Sequence, residues 1–356
     1  MKTSPMPPSF IVDASEAPRF IQITPNLCVA SFQFMKNLTA NYMVEAGIKK
    51  GQVTPGKTMI IETTSGTFGF ALALTCLKWN LPLTLVVQPD LEDGLKKRLK
   101  LLGAKLEVAL PANPQEDLQI SRMRRLKELQ SQFPDHYWPS QYGNEDAQHA
   151  YTRLGTYIMD QVGEIDTLVG AVGTGGSMCG TSKALRLVLP RLKCVGVDAT
   201  YSIGFGQEAG PSLLGGLGTA IPMPNLDHTQ FNEVHWIPDA VGFRGCRELA
   251  TTHGIFAGGS SGCAYVVAKW EGERNPHRKT LVILPDEDRR YEHTIYNDDW
   301  LKANQVWLDT LPAQPEIVSH PSRSHYDRWS MYKWDRRTYF DVTGKAWVLN
   351  DQEQTG

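Results

Sequence analysis

Apolar runs of strand length alternate with amphipathic stretches through most of the chain. The segment 25-PNLCVASFQFMK reads as a strand passing into a loop. The next, 39-TANYMVEAGIKKG, reads as a helix closed by Gly51, with Ala40, Met43, Val44 and Gly47 along one small, apolar stripe. After the turn-forming VTPGKT come a short strand, MIIE, and a helix, 66-GTFGFALALTCLKWN, whose Gly66 and Gly69 permit close backbone approach. TLVVQ is a strand, 91-LEDGLKKRLKLLGA a helix, 105-KLEVAL a strand and 115-QEDLQISRMRRLKELQSQF a longer amphipathic helix. The same order resumes with the helix HAYTRLGTYIMDQVG, the strand 166-DTLVGAVG, a glycine-rich turn, a helix from Cys179 through Leu189 and the strand 193-KCVGVDA. From Ser202 to Asn225 the composition is rich in Gly and Pro and predicts a long irregular segment that serves a site or an interface. Two helices, 240-AVGFRGCRELATTHG and 262-GCAYVVAKWEGE, and the strand 280-TLVILP complete the pattern. Strands separated by helices predict an α/β fold with parallel strands and right-handed crossovers. Beyond Trp300 the chain is aromatic and broken by Pro and Ser, with a short hairpin expected at FDVTGKAWVLN.

Composition bounds the function class. A chain of 356 residues exceeds the size at which one core stops growing, so two lobes are expected. With 36 Lys and Arg against 38 Asp and Glu, the formal net charge is −2, and no global positive field gathers nucleic acid or coats an anionic membrane. Neither is an expected partner. The longest apolar runs, 81-LPLTLVVQ and 281-LVILP, fall far short of the roughly 20 residues of a membrane helix. The N-terminus places prolines and acids where a secretory apolar segment would stand, so the cytoplasm is the expected compartment. Cys28, Cys76, Cys179, Cys194, Cys246 and Cys263 form no CxxC pair, so no zinc knot or redox dithiol is signalled and buried thiols are expected.

Two strand-to-helix turns carry candidate chemistry. In 173-GTGGSMCG, Gly173, Gly175 and Gly176 allow tight backbone geometry, so consecutive N–H groups at a helix start can cradle a phosphate. The turn lacks the lysine of a P-loop and the GxGxxG spacing. A nucleotide is therefore poorly supported, and a glycine-rich turn packed under a helix is the plain alternative. In 61-IETTSGTFG, Thr63, Thr64, Ser65 and Thr67 offer hydroxyls beside amides at a helix N-terminus, which suits a carboxylate; an ordinary helix cap needs only one of them. Lys36 stands between a strand and an apolar helix. Such a lysine is usually a solvated end, but beside a phosphate-bearing aldehyde it could form a Schiff base.

In their order along the chain, TSG near 64, GTGG near 173 and SSG near 260 resemble the cysteine synthase and cystathionine β-synthase family of fold-type II pyridoxal phosphate enzymes, as a divergent member. The resemblance runs from about Pro25 to Trp300. It implies a two-domain, tryptophan synthase β-like fold of three-layer α/β/α lobes. The smaller, mobile substrate-binding domain would be 36–150, the larger cofactor-binding domain 1–35 plus 151–300, and 301–356 a C-terminal extension. It also implies pyridoxal 5'-phosphate as cofactor, with Lys36 forming the internal aldimine and moving protons. Gly173, Thr174, Gly175, Gly176 and Ser177 would hold the phosphate. Thr64, Ser65, Thr67 and Gln141 would surround the substrate carboxylate, Gly216 and Gly218 would face the substrate, and Ser260 and Ser261 would support the cofactor lobe unless they only cap their helix. A homodimer acting on a small amino acid and a second, nucleophilic substrate completes the expectation.

The departures from the family pattern bear on mechanism. Lys36-Asn37-Leu38 stands for Lys-Asp-Arg, and TSGTFG for TSGNTG. Thr67 thereby takes the position of the partner of the cofactor's phenolic oxygen, and Phe68 that of a substrate-contacting Thr. In 284-LPDEDRRY, with Pro285 and Tyr291 setting the alignment, Glu287 is expected to face the pyridine nitrogen, where an acid favours the protonated ring and a quinonoid. Its alternative is a solvated place in a charged loop with Asp286, Asp288, Arg289 and Arg290, a neighbour then facing the ring. The expected reaction is β-replacement on an activated serine- or cysteine-like amino acid through an α-aminoacrylate. The alternatives are β-elimination or deamination using a Glu287-stabilised quinonoid, a noncatalytic pyridoxal phosphate-binding homologue, and a nucleotide-binding α/β module.

Overall fold

The computed structural model describes residues 7–287 and 290–347. Its strands, in chain order, are β1 (Arg19–Thr24), β2 (Leu27–Ser31), β3 (Met59–Thr64), β4 (Leu83–Val87), β5 (Lys105–Val108), β6 (His136–Tyr137), β7 (Thr167–Ala171), β8 (Lys193–Ala199), β9 (Glu233–Ile237), β10 (Thr280–Leu284), β11 (Glu316–Ile317) and β12 (Ser330–Lys333). The chain divides into two compact units, one taking residues up to Pro18 and Gln33–Ser140, the other Arg19–Phe32 and the chain from Gln141 onward.

The first unit is built on a wholly parallel sheet in the order β5-β4-β3-β6. β4 is buried throughout and β3 all but its first residue, as parallel strands covered on both faces should be, which is why they read as near-continuous apolar runs. The helices Thr67–Trp79, Asp93–Leu101 and Leu118–Gln132 connect the strands. The last begins at Asp117, whose side chain accepts from Gln119 N at 2.7 Å, and buries Leu126 and Leu129 against Ile61 and Val86. Truncating Leu126 to Ala would cost about 2–5 kcal/mol by the usual behaviour of sealed core sites.

The second unit carries a sheet in the order β1-β2-β10-β7-β8-β9-β12-β11. Its five central strands, β2 to β9 in that order, are parallel, while β1 pairs antiparallel with β2 and β12 antiparallel with β9 and parallel with β11. The helix Gly259–Arg274 is buried nearly all round and lies in the main core with Val169, Val195 and Val282. Small residues bring it against the helix Asp239–His253: a Cβ on Gly262 would fall 2.2 Å from the carbonyl oxygen of Gly242. All six cysteines are buried and free. No helix among the described residues is long and apolar enough to cross a membrane.

The cuts between units fall elsewhere than at 36–150 and 151–300. The residues up to Pro18 join the smaller unit because the helix Ile11–Ala14 packs on the helix Lys36–Lys49, with Asn41 Nδ2 donating to Asp13 Oδ1 at 3.0 Å and to Glu16 Oε1 at 2.7 Å. The segment after Trp300 joins the larger one because β12 extends its sheet along β9. That segment also packs on the irregular stretch between β8 and β9. Trp347 Nε1 donates to Met223 O at 3.0 Å, Tyr339 Oη to Ile203 O at 3.3 Å, and Gln207 Nε2 to Ser324 Oγ at 2.8 Å. The hairpin expected at FDVTGKAWVLN is instead a helix, Tyr339–Thr343, because Thr338 and Asp341 form a reciprocal capping box that starts one. Residues 348–350 of that expectation lie outside the described residues.

Candidate active site

In the first unit, Lys36 is the opening residue of the helix Lys36–Lys49 rather than part of the preceding loop. The helix start is pinned by Asn37, which replaces an acid and donates from Nδ2 to Ser15 Oγ at 2.6 Å. The Lys36 ammonium lies over the Phe68 ring, 5.8 Å from its centroid, and Phe68 itself is buried. Burial pulls the Lys36 amine down to about 8 against the opposing pull of Glu62. Glu62 is fully buried on β3, where its Oε1 accepts from Thr63 N at 2.7 Å and from Trp138 Nε1 at 3.0 Å. A buried carboxylate is held here by hydrogen bonds, and it keeps the amine from falling further.

The turn after β3 closes on itself. Thr64 Oγ1 accepts from Gly66 N and from Gly69 N, both at 2.9 Å. A Cβ on Gly69 would meet Thr64 Cγ2 at 2.4 Å, so the turn's second glycine is what lets that hydroxyl reach the helix. Thr64 is thus turned inward with its hydroxyl proton left to donate, while Ser65 is exposed and Thr67 half-buried.

In the second unit the turn after β7 is open. The helix Gly176–Arg186 starts from Gly175, which adopts a left-handed φ of 83° and offers no side-chain acceptor to the first-turn amides. A Cβ there would lie 2.5 Å from Leu226 Cα, so the turn is packed against backbone and requires glycine. Thr174 Oγ1 accepts from Gly176 N at 3.4 Å, and Ser177 is half-buried at the second helical position. Asn225, beside Leu226, donates from Nδ2 to the carbonyl of Gln141 at 3.3 Å. Gly216 has φ 86°, and a Cβ on it would lie 3.3 Å from Ser260 Oγ. Ser260 and Ser261 do not cap their helix: its N-cap is Gly258, and Ser261 Oγ is buried without a hydrogen-bond partner among the described residues.

Glu287, the acid expected at the ring nitrogen, is ion-paired with Arg19 of β1. Its neighbour is placed differently. Asp286 is buried, with Oδ2 accepting from Tyr291 Oη at 2.7 Å and Oδ1 without a hydrogen-bond partner among the described residues. Oδ1 lies against Gly258, where a Cβ would come within 2.4 Å. Burial raises the Asp286 carboxyl above its ordinary value, against the pull of Tyr291 and Arg290. β10 and β7 run parallel with Thr280 opposite Thr167, so Asp286 and the Gly173 turn leave the sheet side by side at its carboxyl edge, where α/β sheets bind ligands. The signal that separates the two acids is alternation: adjacent residues leaving a strand point to opposite sides.

A family model for pyridoxal-phosphate dependent enzymes matches residues 35–286. The chain belongs to that family. Among solved structures it is similar to an O-acetylserine dependent cystathionine beta-synthase from Helicobacter pylori, at 30% identity over 82% of this chain and 100% of that one, with a TM-score of 0.75. It shares its fold with isoform 3 of an O-acetylserine sulfhydrylase from Entamoeba histolytica (22% identity, 86% and 99% covered, TM-score 0.75). The same holds for a hydrogen sulfide-producing enzyme from Fusobacterium nucleatum (22% identity, 80% and 97% covered, TM-score 0.72). The two-lobed α/β architecture expected of a fold-type II enzyme is therefore the observed one. Membership implies pyridoxal phosphate, and each unit by itself holds residues that suit parts of such a group: in the second, sparsely capped amides on a glycine turn suit its phosphate and a buried carboxylate oxygen unpartnered among the described residues suits its ring nitrogen, and in the first, a lysine with a lowered pKa suits its aldehyde.

Proposed function

We propose that this enzyme replaces the β-substituent of an activated serine- or cysteine-like amino acid, taking a second small molecule as nucleophile. The observation that carries the reading is Lys36: an amine held near Phe68 with its pKa drawn to about 8 has a larger neutral fraction at physiological pH than a surface lysine. In that form it can attack an aldehyde, and it can take a proton from a substrate α carbon and return one. The cofactor, when bound, supplies the electron sink for that proton loss and for departure of the β-substituent. In this reading the open turn Gly173–Ser177 takes the phosphate through its amides and the Ser177 hydroxyl. Ser65 and Thr67 take the substrate carboxylate, with the Thr64 hydroxyl fixing the turn that presents them. The O-acetylserine dependence named for the Helicobacter pylori relative makes O-acetyl-L-serine the first substrate to test.

Lys36→Ala is the deciding variant. Borohydride reduction of the wild-type holoenzyme should fix a pyridoxyl mass on the peptide containing Lys36, and the variant should show neither the label nor turnover. Full turnover in Lys36→Ala would remove the assignment. A second reading, β-elimination, is favoured by Asp286, because a carboxylate at the ring nitrogen strengthens the electron sink. It predicts pyruvate and ammonia without any second nucleophile, whereas replacement predicts a product only when one is supplied.

A further inference from the structure

The helix Leu118–Gln132 carries three arginines near its N-terminal half, and they are treated differently. Arg124 pairs with Glu116 and Glu128, and Arg125 with Glu107 and Glu128. Arg122, the most buried of the three at 5% exposure, has no carboxylate partner among the described residues. Its Nη1 donates to a neutral acceptor, Gln88 Oε1, at 2.5 Å, while Nε is sealed from water without an acceptor and Nη2 makes no hydrogen bond among the described residues. A buried guanidinium without a counter-ion is costly, and an apolar side chain at that helical position would avoid the cost.

The position of Gln88 says where this cation stands. β3 and β4 are parallel with Thr64 opposite Val87, so Ser65 and Gln88 leave the carboxyl edge of the sheet on neighbouring strands, about 5 Å apart by ordinary strand spacing. Leu126, one turn further along the helix, packs on Ile61 and Val86, which sets Arg122 over the carboxyl ends of the same two strands. With Nη1 held by Gln88, the edge left over is the one formed by Nε and Nη2. That planar edge makes two parallel bonds to a carboxylate or a phosphate.

We infer that the Nε–Nη2 edge of Arg122 is a subsite for a second anionic group on the amino-acid substrate, a carboxylate or phosphate beyond the α-carboxylate. The inference rests on the proposed function for the class of ligand, an amino acid bound at the turn after β3. It adds that the β-substituent carries charge.

Isothermal titration of the holoenzyme with three ligands tests it: O-acetyl-L-serine, neutral in its tail, O-succinyl-L-serine, ending in a carboxylate, and O-phospho-L-serine. Wild-type protein should prefer at least one anionic tail over acetyl. The arm that wins distinguishes carboxylate from phosphate. In Arg122→Lys, which keeps the charge and loses the fork, and in Arg122→Met, that preference should fall by about 10-fold or more, the worth of a charge-assisted pair. If Arg122→Met does not fold by circular dichroism, Arg122→Lys alone carries the test. An affinity ratio between charged and neutral tails that is unchanged by the substitutions overturns the inference, and so does a wild-type protein that binds none of the three or prefers acetyl. Failure of the proposed function looks different: Arg122-dependent binding of a charged tail would remain, with no β-replacement or elimination product from any ligand.

Discussion

The two strand-to-helix turns solve the same problem in opposite ways. Each leaves the carboxyl end of a buried parallel strand and must satisfy the free amides of the helix it starts. The turn after β3 does so internally, spending the Thr64 hydroxyl on Gly66 and Gly69. The turn after β7, with glycine at the N-cap as in the first, offers its helix only the long contact from Gly176 N to Thr174 Oγ1 at 3.4 Å. A helix start that is capped from within is a fixed platform, and its neighbouring hydroxyls are left for other partners. One left sparsely capped has amides free for a ligand, and the helix dipole favours an anion there. Two motifs that look alike as Gly-rich and Thr-rich strings thus differ in what they lack.

The largest expected effect comes from closing the open turn. Gly175→Ala must adopt a left-handed φ and displace backbone at Leu226, so cofactor affinity should fall by about 100-fold or more on strain and clash together, read from fluorescence titration of the apoenzyme. Unchanged affinity would mean the phosphate is held elsewhere. Next is the self-capped turn. Thr64→Val leaves two amides without their acceptor and should cost about 1–3 kcal/mol in a denaturant midpoint, with Thr64→Ser restoring most of it. Loss of cofactor binding at full stability would reverse the roles given to the two turns.

The smallest effect concerns the charge behind the first turn. Burial lowers the Lys36 amine and Glu62 raises it, so Glu62→Gln removes the raising influence and should let the amine fall below about 8. The rate at which apoenzyme captures pyridoxal phosphate needs the neutral amine and therefore rises with pH. Its inflection should move toward lower pH in the variant, and a shift the other way would remove Glu62 from the Lys36 environment.

How much was legible in the sequence follows from what each residue does with its polarity. β3, β4, β7, β8 and β10 are apolar runs between turn signals, and they were found. β9, Glu-Val-His-Trp-Ile, was not, although all five residues are buried. Its polar members are paired out of sight: Glu233 with Lys193, and His235 Nδ1 accepting from Trp329 Nε1 at 3.0 Å. Lys36 and the two turns were legible because glycine and hydroxyl residues at strand ends have few other uses. Arg122 was not, since an arginine on an amphipathic helix normally faces water, and only the fold shows this one turned in. Asp286 and Glu287 differ by one position, which the flanking proline and tyrosine do not distinguish; in the fold Asp286 is bonded to Tyr291 and Glu287 to Arg19.

The segment that packs on the irregular stretch before β9 has a consequence for how the protein is made. Met223 meets Trp347, 124 residues further along the chain, and Ile203 meets Tyr339 across 136. On the ribosome, where synthesis proceeds at about 5–20 residues per second, the loop bearing Gly216 waits several seconds or more for the aromatic residues that will brace it. The scaffold strands can pair before then. The loop that the resemblance assigns to the substrate is among the last parts of the unit to be held in place.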